Sequence, residues 1–87
     1  MLDDNFQRLP KYPLEAVPQS IVGNIQKCWA EKPYGGPQYS LAMTDARIVS
    51  ASRYYLVFEP HGIADVLLVF LVDRKTGVVE AYQYGMV

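Results

Sequence analysis

Hydrophobic residues in this chain change their spacing once. Up to residue 31 they recur at intervals of three and four: Leu14, Val17, Ile21, Ile25 and Cys28, with Val22 and Trp29 beside them. That spacing lines one face of a helix, and it predicts a helix over 14–32 with its regular part from Pro18 to Glu31. Proline suits a first-turn position, where the N–H it lacks has no helical partner. Pro33, Gly35, Gly36 and Pro37 then end the helix in a rigid bend. Ahead of it, Asp3, Asp4, Asn5, Pro10 and Pro13 disfavour both helix and ladder, so residues 1–13 read as an extended arm. Phe6, Leu9 and Tyr12 recur every third residue within the arm and give it something apolar to lay down.

After the bend the period falls to two. Tyr39, Leu41 and Met43 alternate with Ser40, Ala42 and Thr44, the pattern of a strand with one wet face. Residues 45–53 give no single reading: Ile48 and Val49 suit an extension of that strand, while Ser50, Ala51 and Ser52 suit a turn. Tyr54 to Glu59 is a run of aromatic and β-branched residues stopped by Pro60 and Gly62. Val66 to Val72 is the strongest strand, and Asp73-Arg74-Lys75-Thr76-Gly77 after it is hairpin chemistry, with Gly77 free to take the left-handed conformation. Val78 to Tyr84 returns antiparallel. The expected fold is α+β: one N-terminal helix packed on an antiparallel sheet of three to four strands over 38–85, within a single domain of residues 1–87.

Strand 66–72 is apolar on both faces, whereas one helix covers only one side of a sheet. The other side needs the N-terminal arm, a bend in the sheet or another protein molecule. Leaving three or four large side chains wet forfeits about 1.5–3 kcal/mol each, comparable to the whole stability of a small domain.

Composition narrows the class without naming a reaction. A chain of 87 residues has room for one core and a thin stability margin. Its formal charge is -1 with the charges scattered, so there is neither a basic stripe for nucleic acid nor an acidic block. The seven-residue apolar run from Val66 to Val72 is too short for a membrane-spanning helix. The start, Met-Leu-Asp-Asp-Asn-Phe, lacks a basic start and an apolar leader, which points to a cytoplasmic or processed chain. A single cysteine, Cys28, excludes an internal disulfide and a four-cysteine zinc site, and its place on the apolar helix face predicts core packing.

Candidate chemistry is sparse. His61 is the one histidine, so multi-histidine metal sites are excluded. Glu59 and Asp65 flank it and form a dyad with it only if the loop brings them together; a polar turn is the plainer reading. Ser20, Ser40, Ser50 and Ser52 lie in no nucleophile-elbow pattern, and Pro33 to Pro37 lacks the spacing of a phosphate-binding loop. No catalytic residue, metal or cofactor is assigned. The compositional oddity is seven tyrosines, among which Tyr54, Tyr55, Tyr82 and Tyr84 stand in strands. Tyr82 and Tyr84 fall in phase with Val78 and Glu80, and Tyr54 with Leu56 and Phe58. Tyrosine joins apolar area to a polar tip at little entropic cost, as interfaces require; it also fits half-exposed sheet by β-propensity alone. Both readings stand. Stacking of single-stranded nucleic acid on these rings is disfavoured, because Gln83 and Glu80 occupy positions where basic residues belong.

The helix with Trp29 near its end, the strand Tyr54-Tyr55-Leu56-Val57-Phe58, and the hairpin Val72-Asp73-Arg74-Lys75-Thr76-Gly77-Val78-Val79 together resemble small bacterial cystatin-like and nuclear-transport-factor-like sheet domains, over roughly residues 18–85. Relatives of that kind include immunity proteins that neutralise toxins and peptidase-propeptide-type domains sharing the terminal hairpin. The resemblance implies a binding role and carries over no catalytic residue. The expected function is a small protein-binding module whose partner is another protein, in a toxin-neutralising or regulatory setting. The alternatives are a homodimer built on the same face, and a small-ligand or enzymatic domain with His61 and Asp65 or Glu59 at the mouth of a pocket.

Overall fold

Alternation in the second half of the chain becomes a four-stranded antiparallel meander. In the computed structural model, which describes residues 4–31, 41–62 and 66–86, the strands are β1 (Leu41–Ile48), β2 (Arg53–Pro60), β3 (Val66–Asp73) and β4 (Val79–Met86), in spatial order β1-β2-β3-β4. Tyr39 and Ser40, the predicted start of the first strand, lie outside the described residues. The ambiguous stretch 45–53 resolves into strand and turn. β1 continues to Ile48 through a bulge between Met43 and Asp45, which slips the alternation by one residue. Leu41 and Ala46 are therefore both buried under the helix, although an odd number of positions separates them.

The helix is α2 (Gln19–Ala30), and its buried residues are those of the predicted apolar face, Ile21, Val22 and Ile25, together with Val17 just ahead of it. They pack on Tyr54, Leu56, Phe58, Leu68, Phe70 and Val72 of the two central strands. The expected start of the helix at residue 14 is corrected. Leu14–Ala16 is a separate 3-10 turn, because Pro18 caps α2 from outside and holds an extended conformation with Val17. Gln26 Nε2 donates to the Leu41 carbonyl at 2.8 Å and ties the helix to β1.

The β3–β4 turn is built as its letters suggest. Asp73 Oδ1 accepts the backbone N–H groups of Lys75 and Thr76 at 2.8 and 3.0 Å. Gly77 takes φ 76°, and a Cβ there would stand 2.9 Å from Ile21 Cγ1, so the turn's glycine also lets α2 settle onto the hairpin.

The arm is not extended throughout. Asp4–Arg8 forms a short helix, α1, on the sheet face opposite α2. Phe6 is buried there against Val57, Leu67 and Val69, with Leu9 and Tyr55 at the margin. One buried charge pins it. Arg47, on the outer face of β1, donates from Nε to Asp45 Oδ2 at 3.0 Å and from Nη1 to the carbonyls of Gln7 and Leu9 at 3.1 and 3.0 Å. Those carbonyls end α1, where a cation satisfies acceptors the helix leaves open. The chain then runs along β1: Tyr12 N–H donates to Ala46 and Ile48 N–H to Pro10, around a Lys11–Arg47 bridge. The doubly apolar strand is thus covered by α2 on one face and partly by α1 on the other.

Candidate binding surfaces

Pro10–Tyr12 occupies the outer edge of β1, whereas β4 has no strand on its outer side among the described residues. Natural edge strands carry lysine, proline or an inward charge against unwanted pairing. β4 reads Val-Glu-Ala-Tyr-Gln-Tyr-Gly-Met, with Glu80 as its one charge. That carboxylate is engaged within the chain: Arg53, from β2, donates to it through both Nε and Nη2, the latter at 3.0 Å. The pair holds Glu80 below the ordinary carboxylate range and raises Arg53, in both cases first through the side-chain hydrogen bond.

Beside β4, α2 stops short of covering the sheet. A groove of about 400 Å³ lies between Ile25, Cys28 and Trp29 on the helix and Phe70 and Val79 on the sheet, with Val78 of the turn before β4. Cys28 is exposed here, at the lip of this groove, rather than packed in the core as its phase suggests. Trp29 is half-buried, and its indole N–H is buried without a hydrogen-bond partner, which leaves a desolvation cost of about 1–3 kcal/mol unmet. On the opposite face the cover by α1 also ends before β4: Leu71 is half-buried and Ala81 and Gln83 are exposed around a shallow hollow.

The tyrosines divide. Tyr54, expected at an interface, is 1% exposed and belongs to the core under α2. Its ring meets Tyr12 edge-on at 5.3 Å, and burial, then the neighbouring Tyr12, pushes its hydroxyl above the usual tyrosine range. Tyr55 is half-buried, 5.7 Å from the Phe6 ring. The backbones of Tyr82 and Tyr84 pair with Phe70 and Leu68; their side chains lie outside the described ones. The expected common face with Val78 and Glu80 is broken by a register shift between Leu71 and Val72, which sets Val79, not Glu80, opposite Val72.

His61 is exposed in the β2–β3 turn, and Asp65 lies outside the described residues. Among the described residues no carboxylate pairs with His61, no group of histidine, cysteine and acidic side chains suits a metal ion, and no helix is long and apolar enough to cross a membrane. Sequence reasoning missed Arg47, the vacancy beside β4 and the exposure of Cys28. Only Arg47 left a trace, as a charge beside the residues whose alternation failed. Comparison of the chain with protein-family models, with curated proteins and with solved structures found no match.

Proposed function

We propose that this protein is a small non-catalytic binding module that takes an extended, uncharged segment of another protein as a fifth strand along β4, with an apolar side chain of that segment seated in the groove under Trp29. The unequal edges of the sheet carry this reading: β1 is paired by the chain's own arm, while β4 is open beside an apolar groove. Strand addition draws affinity from main-chain hydrogen bonds and specificity from pockets for alternate side chains. With Glu80 engaged by Arg53, the edge offers no unpaired side-chain charge among its described residues, and an uncharged partner strand suits it. A toxin-neutralising or regulatory role is a setting for such a module. At a net charge of -1 it depends on contact rather than on long-range steering. A second copy of the chain is the competing occupant, favoured by the lack of lysine or proline on β4.

Cys28 makes the test direct, since it is the single cysteine and lies exposed at the groove. A bulky maleimide adduct at Cys28 is expected to abolish capture of an unlike partner while leaving the circular dichroism spectrum intact, and hydrogen exchange in the complex is expected to slow along β4. Full capture by the adduct, with no protection of β4, sinks the reading. A dimer by light scattering, with β4 protected and no unlike partner, moves it to the second copy.

A further inference from the structure

A second cavity, of about 540 Å³, opens at the end of the sheet where the β1–β2 and β3–β4 turns meet the start of α2. It shares only Thr76 with the groove beside β4 among the described lining residues. Its volume is that of a small-molecule site. Arg74 dominates its chemistry. The guanidinium lies 5.1 Å from the centre of the Tyr12 ring and 5.9 Å from that of Tyr54, while the Arg74 backbone N–H donates to the Ser52 carbonyl at 2.8 Å. Stacking on two rings, one of them in the core, fixes where the guanidinium sits before any ligand arrives.

Among the described residues, what Arg74 lacks is an acid. The ion pairs among the described residues are Arg47 with Asp45 and Arg53 with Glu80, and neither Arg74 nor Lys75 has a carboxylate partner there. Arg74 spends one N–H on a long contact to the Ala51 carbonyl, at 3.4 Å, and the guanidinium carries five. The acid lining the cavity, Asp73, is already committed: its Oδ1 accepts the N–H groups of Lys75 and Thr76, and those bonds hold it ionised below the ordinary range. Two cations against one occupied carboxylate leave the cavity positive, and Ala16, Pro18 and the two tyrosine rings give it apolar walls.

We infer that this cavity binds a small organic carboxylate, the acid group held by Arg74 with Lys75 beside it and the apolar body lying against Tyr12. A planar guanidinium fork matches the two oxygens of a carboxylate, whereas a lone ammonium acts as a point charge. Inorganic phosphate has no apolar body to place on the rings, so it binds more weakly than an aromatic acid. The carboxylate arrives either on a free small molecule or as the C-terminus of a protein chain.

The test is amide chemical-shift titration of the whole protein with benzoate, with its uncharged isostere benzamide, and with inorganic phosphate. Benzoate is expected to give saturable shifts at Ser52, Arg74 and Thr76, with benzamide and phosphate roughly tenfold weaker or worse. Equal shifts from benzoate and benzamide, or none from benzoate, overturn the inference on the unmodified protein, whatever any variant does. R74Q is expected to weaken benzoate roughly tenfold and R74K to fall between, both with unchanged shifts in β3 and β4; benzoate binding that survives R74Q also overturns it. Acetyl-phenylalanine with a free or an amidated C-terminus distinguishes the sources. Preference for the free form over benzoate assigns the site to a chain terminus, and preference for benzoate assigns it to a free metabolite.

Discussion

The outer strands of this sheet are made of similar material and end up in opposite situations. β1 is an edge by topology and closed in practice, because the arm returns two main-chain hydrogen bonds to it and Arg47 clamps the arm's carbonyls. β4 is an edge by topology and open in practice, with one intramolecular ion pair across the face and no main-chain partner outside it among the described residues. Closing an edge takes a segment of chain to lay along it and a polar anchor to stop it peeling. Both lie N-terminal to α2 or on β1, so they serve only that side. This sheet therefore has one side closed by its own chain and one left open among the described residues, the side on which the proposed partner strand pairs.

Substitutions at the two edges should separate those roles. Arg47→Ala has the largest expected effect: it strands Asp45 and the carbonyls of Gln7 and Leu9 around a buried site, at a cost of about 3 kcal/mol by urea unfolding. The same variant should bring concentration-dependent association at the uncovered β1, read by light scattering. If it unfolds at the parent urea concentration, the arm is not held as described. Phe6→Ala removes the apolar side of the same clamp, which packs on Val57, Leu67 and Val69; about 2 kcal/mol is expected, with hydrogen exchange quickening first at Tyr12 and Ile48.

On the other edge, Ala81→Lys with Gln83→Lys places two charges at exposed positions. Stability should stay within about 0.5 kcal/mol while partner capture through β4 is lost; capture unchanged at equal stability would separate binding from this edge. The smallest effect is in acid. Glu80 and Asp73 are both held below the ordinary carboxylate range in the folded chain. Their contribution is thus present above the unfolded values of about 4 and is lost as pH falls through the depressed folded ones. The difference in melting temperature between the parent and Glu80→Gln should be constant at neutral pH and shrink below about pH 4. Tyr54 supplies the alkaline counterpart: its raised hydroxyl favours the neutral folded form, so stability present below about pH 10 is lost above it. Tyr54→Phe should flatten that decline.

Much of the fold was legible because it rests on local periodicity. The helix face of Ile21, Val22 and Ile25, the strands at Arg53–Pro60 and Val66–Asp73, and the Asp73 turn are each specified by residues within a few positions of one another. The bulge in β1 was not legible, because slipping the alternation by one residue erases the signal that marks a strand. The short α1 was hidden as well: its five residues have weak helical preference, and it persists on contacts with strands some 40 to 60 positions away, Arg47 to Gln7 among them. The candidate surfaces were less legible still. Tyr54 and Tyr55 are adjacent and alike in the chain, yet one is core and the other half-buried. Arg74 read as a turn residue, and only the meeting of two turns with Tyr12 makes it the centre of a cavity.

The sequence by itself determined that one helix and an antiparallel sheet share a core, and that a strand apolar on both faces must be covered twice. Spacing and the cost of wet apolar surface suffice for that. Which face the arm covers, which edge it closes and which described side chains remain exposed were decided only in the tertiary structure, because they depend on the sum of contacts between residues distant in the chain. A clamp such as Arg47 has no local pattern of its own; it exists only once the carbonyls of Gln7 and Leu9 have been brought to it.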